Sequence, residues 1–174
     1  MKTIIILAHP NIDQSVVNKS WIEALAQKNP EVKIHNIYKN YPDWKIDVAK
    51  EQALLEKYDR IILQFPIYWY NMPPLLKKWL DDVFAYGWAY GSTGNKLVGK
   101  EFGLAVSTGG VESAYTPGQY GTINELLKPL ESTAKFVSAK YIPYHVFHGA
   151  LSPDVQDRLA VNTEEYINKV TQPC

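Results

Sequence analysis

The chain has 174 residues, a length at which one domain can bury a substantial hydrophobic core. Lys plus Arg and Asp plus Glu number 18 each, so the formal net charge is zero. We therefore expect neither a basic face that binds nucleic acid nor an acidic tail. The only cysteine is Cys174, which excludes a disulfide within the chain and a metal site built from several cysteines.

The first ten residues, MKTIIILAHP, contain a short apolar run. This run is too short to cross a membrane, and no small-residue cleavage site follows it. We interpret it as a first β-strand. No other apolar run approaches membrane length, so the expectation is a soluble, cytoplasmic protein with a single domain over residues 1–174.

Apolar segments alternate with amphipathic segments along the chain. The predicted strands are Thr3–Ala8, Val32–Tyr38, Arg60–Phe65, Glu101–Thr108 and Lys140–Phe147. The predicted helices cover residues 15–28, 48–57, 73–84, 122–136 and 152–170. This alternation predicts an α/β three-layer sandwich around a five-stranded parallel sheet. With the strand order 2-1-3-4-5, the loops after strands one, three and four meet where the order reverses, which is where such sheets bind ligands.

The loop after the first strand, HPNIDQSVVN, lacks the G-x-x-x-x-G-K-(S/T) pattern of a nucleotide P-loop. It places Ser15 and Asn18 at the start of a helix, whose free backbone N–H groups suit a phosphate. The alternative is that Ser15 or Asp13 only caps the helix and that His9 closes the strand end. This loop alone favours the alternative.

The segment Gln64–Gly91, QFPIYWYNMPPLLKKWLDDVFAYGWAYG, is the most informative part of the sequence. Three aromatic residues follow the third strand, and flat rings on a surface loop can form a wall for a flat ligand. The backbone amides of Ile67, Tyr68 and Trp69 are expected to face such a ligand. A contact between two subunits is the alternative, since aromatic residues are enriched at interfaces.

The loop after the fourth strand begins with STGG, where Gly109 and Gly110 let a ligand approach the backbone. Tyr115 and Tyr120 are candidate proton donors, with loop packing as the alternative. His145 and His148 are interpreted as structural residues. We find no metal-binding pattern, no G-x-S-x-G nucleophile elbow and no G-x-G-x-x-G dinucleotide motif.

Three motifs occur in order: AHP followed by Ser15-x-x-Asn18, the Gln64–Gly91 segment, and STGG with Tyr115 five residues after its last glycine. Together they resemble the NAD(P)H:quinone oxidoreductase family of flavodoxin-like flavoproteins over nearly the whole chain. The similarity is strongest to a small bacterial branch, which includes general stress proteins and ancillary oxidoreductases of glutathione-gated potassium-efflux systems. The resemblance implies a flavodoxin-like fold, bound FMN with FAD as the alternative, a homodimer, and two-electron reduction of quinones by NADH or NADPH.

The resemblance also assigns roles to individual residues. The flavin phosphate and ribityl chain would be held by His9, Ser15, Val16, Val17 and Asn18. The ring would be lined by Pro66, Ile67, Tyr68 and Trp69, and its pyrimidine end by Ser107, Thr108, Gly109 and Gly110. Tyr115 matches a tyrosine that acts with a histidine to stabilise charge on the reduced ring, and Tyr120 stands in that histidine's place. The segment that reaches the partner subunit's site in the family is matched by Tyr86, Trp88 and Tyr90.

The implied mechanism has two steps in a ping-pong order. NAD(P)H first transfers a hydride to the flavin and leaves, and a quinone then binds in the same site and accepts the hydride. One alternative is a flavodoxin-type electron carrier. A second is a regulatory flavoprotein subunit of a potassium-efflux system, which would lie against the inner face of the membrane through its partner. A third is an α/β domain whose aromatic residues only form a dimer.

Overall fold

Six strands form one parallel sheet in the computed structural model, which describes residues 1–172. Cys174 therefore lies outside the described residues. The strand order is β2-β1-β3-β4-β5, and β6 also pairs with β4. The strands are β1 (Thr3–Leu7), β2 (Lys33–Asn36), β3 (Arg60–Pro66), β4 (Glu101–Ser107), β5 (Lys140–Tyr141) and β6 (His145–Phe147). The predicted flavodoxin-like fold and the order 2-1-3-4-5 are confirmed, with one strand more than predicted.

Helices cover both faces of the sheet and make the three layers. On one face lie α1 (Val17–Lys28) and α6 (Val155–Thr171). On the other lie α2 (Ile37–Asn40), α3 (Val48–Leu55), α4 (Pro74–Val83) and α5 (Ile123–Phe136).

The two faces of the sheet explain the apolar runs in the sequence. Every residue of β1 and β3 is buried, because a central parallel strand is covered on both sides. Ile4 and Ile6 point into the core under α4 and α5, whereas Ile5 points to α1 and α6. This alternation is the two-residue period of a strand.

The second strand is shorter than predicted. The prediction extended it to Tyr38, but β2 ends at Asn36. The side chain of Asn36 accepts a hydrogen bond from the backbone N–H of Lys39 at 3.0 Å and caps the short helix α2. Local capping chemistry therefore overrides the strand propensity of the following Ile37 and Tyr38.

The fifth predicted strand, Lys140–Phe147, is divided into β5 and β6. Pro143 lies between them and has no backbone N–H for the sheet, so the ladder is interrupted there. Both pieces still pair with β4 in parallel, and Phe147 lies beside Ser107. The end of β6 is thereby placed at the same edge of the sheet as the ends of β1, β3 and β4.

Candidate ligand-binding site

A cavity of about 510 Å³ opens at the carboxyl ends of β1, β3 and β4, a size typical of small-molecule sites. The three loops therefore converge, as the fold predicts. The predicted residues that line the cavity are His9, Ser15, Val16, Val17, Pro66, Ile67, Tyr68, Trp69, Ser107 and Gly109. Lining residues that the sequence did not indicate are Asn11, Gln14, Ala150 and Leu151.

One end of the cavity is the start of helix α1. Ser15 has extended dihedral angles, φ −78° and ψ 126°, and its Oγ accepts the backbone N–H of Asn18 at 3.1 Å. Ser15 therefore caps the helix, as the alternative interpretation held. The amides of Val16 and Val17 donate no hydrogen bond to any other residue among 1–172. Free amides at a helix start form a site for an anion.

His9 adds a side-chain donor at this end. Its Nδ1 accepts the backbone N–H of Asn11 at 3.1 Å, so the proton of the neutral ring sits on Nε2. Burial lowers the pKa of His9 and favours this neutral form. The Nε2–H group is the donor that remains for a ligand.

The aromatic wall of the cavity is held by a strained turn. Tyr68 and Asn71 exchange two backbone hydrogen bonds, of 2.8 and 3.0 Å, around Trp69 and Tyr70. These two central residues have φ of 48° and 62°, in the left-handed region that usually takes Asn-Gly in such a turn. The strain costs about 1–2 kcal/mol per residue. It leaves the Trp69 side chain 94% exposed at the cavity mouth, and strain of this kind concentrates at functional sites.

The prediction about backbone donors near the rings was wrong for Ile67 and Tyr68. The Ile67 amide donates to the Ser107 carbonyl at 2.8 Å, and the Tyr68 amide is used in the turn. The amides of Trp69, Gly109 and Gly110 donate to no other residue in the described part of the chain. Of these, Trp69 and Gly109 line the cavity, so they are the backbone donors available to a ligand at this end.

Ala150 and Leu151 reach the cavity because the segment after β6 is bonded to the STGG loop. The Gly149 amide donates to the Gly110 carbonyl at 2.7 Å, and the Ala150 amide donates to the Thr108 carbonyl at 2.8 Å. A loop that follows a parallel strand lies at the ligand edge of the sheet, so the position of this segment was the signal that could have identified it.

Five predicted site residues do not line the cavity: Asn18, Thr108, Gly110, Tyr115 and Tyr120. Asn18 and Thr108 are buried, each 1% exposed. The Thr108 hydroxyl donates to the Gly110 carbonyl at 2.8 Å and lies 3.1 Å from Nδ1 of His148, whose pKa is lowered by burial.

The two tyrosines of the predicted proton relay make different ring contacts. The ring of Tyr115 lies 5.4 Å from that of His148, whereas the ring of Tyr120 lies 6.0 Å from that of Tyr70. A histidine from the end of β6 thus stands beside Tyr115. The catalytic roles of Tyr115 and Tyr120 stay predictions.

The predicted partner-contact segment is only partly on the surface. Trp88 is 9% exposed, and its Nε1–H donates to Glu56 at 2.9 Å. Tyr90 is half-buried and lies 5.3 Å from the ring of Phe136. Tyr86, 68% exposed, is the member of the segment that presents most of its ring to solvent.

Within residues 1–172, none of the helices combines the length and the apolar character needed to cross a membrane. The same residues contain no group of three or more His, Cys, Asp or Glu side chains that could hold a metal ion.

The family model Flavodoxin_2, described as a flavodoxin-like fold, matches residues 1–170. The chain belongs to this flavodoxin-like family. General stress protein 14 of Bacillus subtilis is 49% identical over 173 residues, which cover 97% of this chain and 98% of the relative. The uncharacterized NAD(P)H oxidoreductase YrkL of the same species is 46% identical, with 90% and 91% covered. The potassium-efflux ancillary protein KefF of Klebsiella pneumoniae is 44% identical, with 83% and 81% covered.

Three solved structures similar to this flavodoxin-like protein are named after different activities or roles. General stress protein 14 of Treponema denticola, in complex with FMN, has a TM-score of 0.90 at 46% identity, with 96% of each chain covered. An NADPH-quinone reductase of P. pentosaceus has a TM-score of 0.85 at 36% identity, with 100% of each chain covered. A chain described as a thermophilic tryptophan halogenase from S. violaceusniger has a TM-score of 0.93 at 44% identity, with 99% and 100% covered. The predicted relationship to NAD(P)H oxidoreductases and quinone reductases is confirmed.

Proposed function

We propose that this protein is an FMN-dependent NAD(P)H:quinone oxidoreductase that passes a hydride from NAD(P)H to quinones or similar flat acceptors. The observation that carries the proposal is the cavity at the ends of β1, β3 and β4, which has free backbone amides at two separate ends. The names of the relatives, NAD(P)H oxidoreductase and NADPH-quinone reductase, support the same reaction class.

The residues of the cavity fit FMN. The amides of Val16 and Val17, with the Nε2–H of His9, would hold the phosphate, an anion, at the start of α1. The amides of Trp69 and Gly109 would bond the acceptor atoms of the ring's pyrimidine end. A close structural relative is a complex with FMN, which supports FMN over the alternative, FAD.

Bound FMN would supply the chemistry of accepting and donating a hydride. The protein's own residues then have three tasks. The free amides of Trp69 and Gly109 stabilise negative charge at the ring edge, as an oxyanion hole does. The exposed ring of Trp69 forms a wall on which NAD(P)H and a quinone pack in turn. Tyr115 contributes a hydroxyl beside Gly110. Its Oη lies 3.5 Å from the position that a Cβ atom on Gly110 would occupy.

The cofactor and the reaction are tested on the purified protein. Heat release and chromatography identify the bound flavin as FMN or FAD. Initial rates with NADH or NADPH and a small quinone, both varied, are expected to give parallel double-reciprocal lines. Intersecting lines would contradict alternating use of one site. Flavin without any NAD(P)H oxidation would support a flavodoxin-type electron carrier instead.

The role of the aromatic wall is tested with a matched pair of tryptophan variants. Trp69→Ala is expected to raise the KM for the quinone about tenfold without changing stability, because the side chain is 94% exposed. Trp44→Ala is the control, since Trp44 is also exposed, at 40%, and does not line the cavity. If the two changes altered the KM for the quinone equally, Trp69 would have no specific role in the site.

The name tryptophan halogenase belongs to the similar chain from S. violaceusniger. A parallel assay in air with tryptophan, chloride and NADH, in which O2 is the oxidant, distinguishes that chemistry from quinone reduction. We expect quinone-dependent NAD(P)H oxidation and no halogenated product, and chlorotryptophan in this assay would contradict the proposed reaction.

A second proposed role is that of an ancillary subunit of a potassium-efflux protein, which would place this protein at the inner face of a membrane through its partner. The similarity to KefF, at 44% identity, supports this role. We also propose a homodimer in which exposed Tyr86 contacts the second copy. Light scattering of the wild type and Tyr86→Ala tests the dimer, and co-purification with a membrane transporter tests the ancillary role.

A further inference from the structure

A row of buried polar side chains runs from helix α6 to the floor of the cavity. Tyr166 donates its hydroxyl proton to Oε1 of Gln64 at 2.6 Å. Nε2 of Gln64 donates to the backbone carbonyl of Asn18 at 3.2 Å and to its side-chain Oδ1 at 3.3 Å. Nδ2 of Asn18 then donates to Oγ of Ser107 at 2.8 Å. Ser107 lines the cavity, whereas the other three residues do not.

One group in this row fixes the direction of every hydrogen bond. The backbone carbonyl of Asn18 can only accept, so the amide of Gln64 must turn its nitrogen towards Asn18 and its oxygen towards Tyr166. The same nitrogen faces Oδ1 of Asn18, which places Nδ2 of Asn18 on Ser107. Ser107 therefore accepts at Oγ and keeps its own proton.

The remaining proton of Ser107 has no acceptor within the described residues. Ser107 is 3% exposed, and the cavity is the open space beside it. The backbone carbonyl of the same residue is already used, because it accepts the amide of Ile67. A buried hydroxyl in this state is a donor that is available to a ligand in the cavity.

We propose that Asn18 and Gln64 are positioning residues that hold the Ser107 hydroxyl as a hydrogen-bond donor towards acceptor atoms of the flavin's pyrimidine end. This inference rests on the proposed function and gives Asn18 a role different from direct contact with the phosphate or ribityl chain. A fixed donor stabilises negative charge better than a hydroxyl that must first reorient. The row therefore favours the reduced, anionic form of the cofactor.

Asn18→Asp is the sharpest test, because it changes one NH₂ group into an oxygen at nearly constant shape. An ionised carboxylate at this position can only accept, so Ser107 would turn its proton away from the cavity. The protonated carboxylic acid can donate again and would restore the original direction. We measure the affinity of the apoprotein for FMN by quenching of flavin fluorescence from pH 5 to pH 9, as a ratio of variant to wild type.

The expected result is a loss of FMN affinity of about tenfold at high pH that disappears at low pH, the size of one ordinary hydrogen bond. Ser107→Ala is expected to lose affinity to a similar extent at every pH. Tyr166→Phe is the control, because it removes the far end of the row without changing the directions set by the Asn18 carbonyl. It is expected to lower stability and keep FMN affinity within about twofold of the wild type.

Redox titration gives a second readout. If the reduced form loses about tenfold more affinity than the oxidised form in Ser107→Ala, the two-electron midpoint potential falls by about 30 mV. Asn18→Asp at high pH is expected to show the same fall, and Tyr166→Phe to show none. Equal potentials in all four proteins would overturn the inference.

A double-mutant cycle needs no buried charge and covers the case in which Asn18→Asp does not fold. If Asn18 acts on FMN only through Ser107, then Asn18→Ala adds nothing to the loss already caused by Ser107→Ala. Additive losses, or a pH-independent ratio for Asn18→Asp, would overturn the inference while leaving the proposed function intact. Failure of the wild type to bind FMN would overturn both.

Discussion

The carboxylate of Glu51 is buried between helices and accepts hydrogen bonds from three side chains. Nε2 of His35 lies 2.9 Å from both carboxylate oxygens, the hydroxyl of Tyr41 lies 2.6 Å from Oε1, and Nε1 of Trp79 lies 2.7 Å from Oε2. These contacts join β2 and the end of α2 to α3 and α4. Burial alone would raise the pKa of Glu51, but the three donors outweigh it and the pKa is lowered. We predict that Glu51→Gln is strongly destabilising.

The size of the destabilisation can be estimated from the hydrogen bonds that the Glu51 carboxylate accepts. A hydrogen bond to a charged group contributes about 1.5–3 kcal/mol, and glutamine turns an NH₂ group towards at least one of the donors. Leaving a buried donor without its acceptor costs about 1–3 kcal/mol. Because glutamine keeps one acceptor, we expect the free energy of unfolding to fall by about 2–4 kcal/mol. This is a large part of the roughly 5–15 kcal/mol typical of a domain.

Urea denaturation at pH 7, followed by circular dichroism, measures the change. With a slope of about 1–3 kcal/mol per molar urea, the midpoint should fall by about 1–2 M. Glu23→Gln is the matched control, since Glu23 is exposed, and it should stay within about 0.5 kcal/mol of the wild type. Combining Glu51→Gln with Trp79→Phe should cost less than the sum of the two changes.

The direction in which the stability contribution of Glu51 changes with pH follows from its lowered pKa. Because the folded-state pKa of Glu51 lies below its ordinary value of 4.5, the contribution of the carboxylate is complete at neutral pH and is lost as the pH falls through the folded-state pKa. The difference between wild type and Glu51→Gln should therefore be constant from about pH 6 to 8 and shrink below about pH 4.5. A loss under about 1 kcal/mol at pH 7, or a difference that grows in acid, would refute the reasoning.

Three further predictions concern the core, a buried histidine and the start of α1. Gly103→Ala should cost about 1–3 kcal/mol in urea unfolding, because its Cβ would lie 2.7–2.9 Å from two isoleucine side chains. Burial lowers the pKa of His145 below 6.5, so stability should fall as the pH drops below about 6.5, and His145→Gln should show a smaller fall between about pH 7 and 5. Ser15→Ala should lower thermal stability by about 1 kcal/mol through loss of the cap on Asn18, whereas Ser15→Asn should keep most of it.

The periodic patterns of the sequence determined the fold. Strands buried on both sides produced the apolar runs around Ile5 and Ile62, and helices with one buried face produced the spacing of Leu76 and Trp79. These patterns follow from the periods of two and 3.6 residues that the backbone itself imposes. Parallel pairing then placed the three unusual loops at one edge, so the position of the cavity was also predictable.

Only the tertiary structure decided which groups of those loops are available to a ligand. The amides of Ile67 and Tyr68 are used within the protein, whereas those of Gly109 and Gly110 are free. Trp88, expected to reach a partner subunit, is instead buried and donates its N–H to Glu56 at the end of a distant helix. Hydrogen-bond partners and burial depend on residues far apart in the chain, and no local period records which distant group a donor meets.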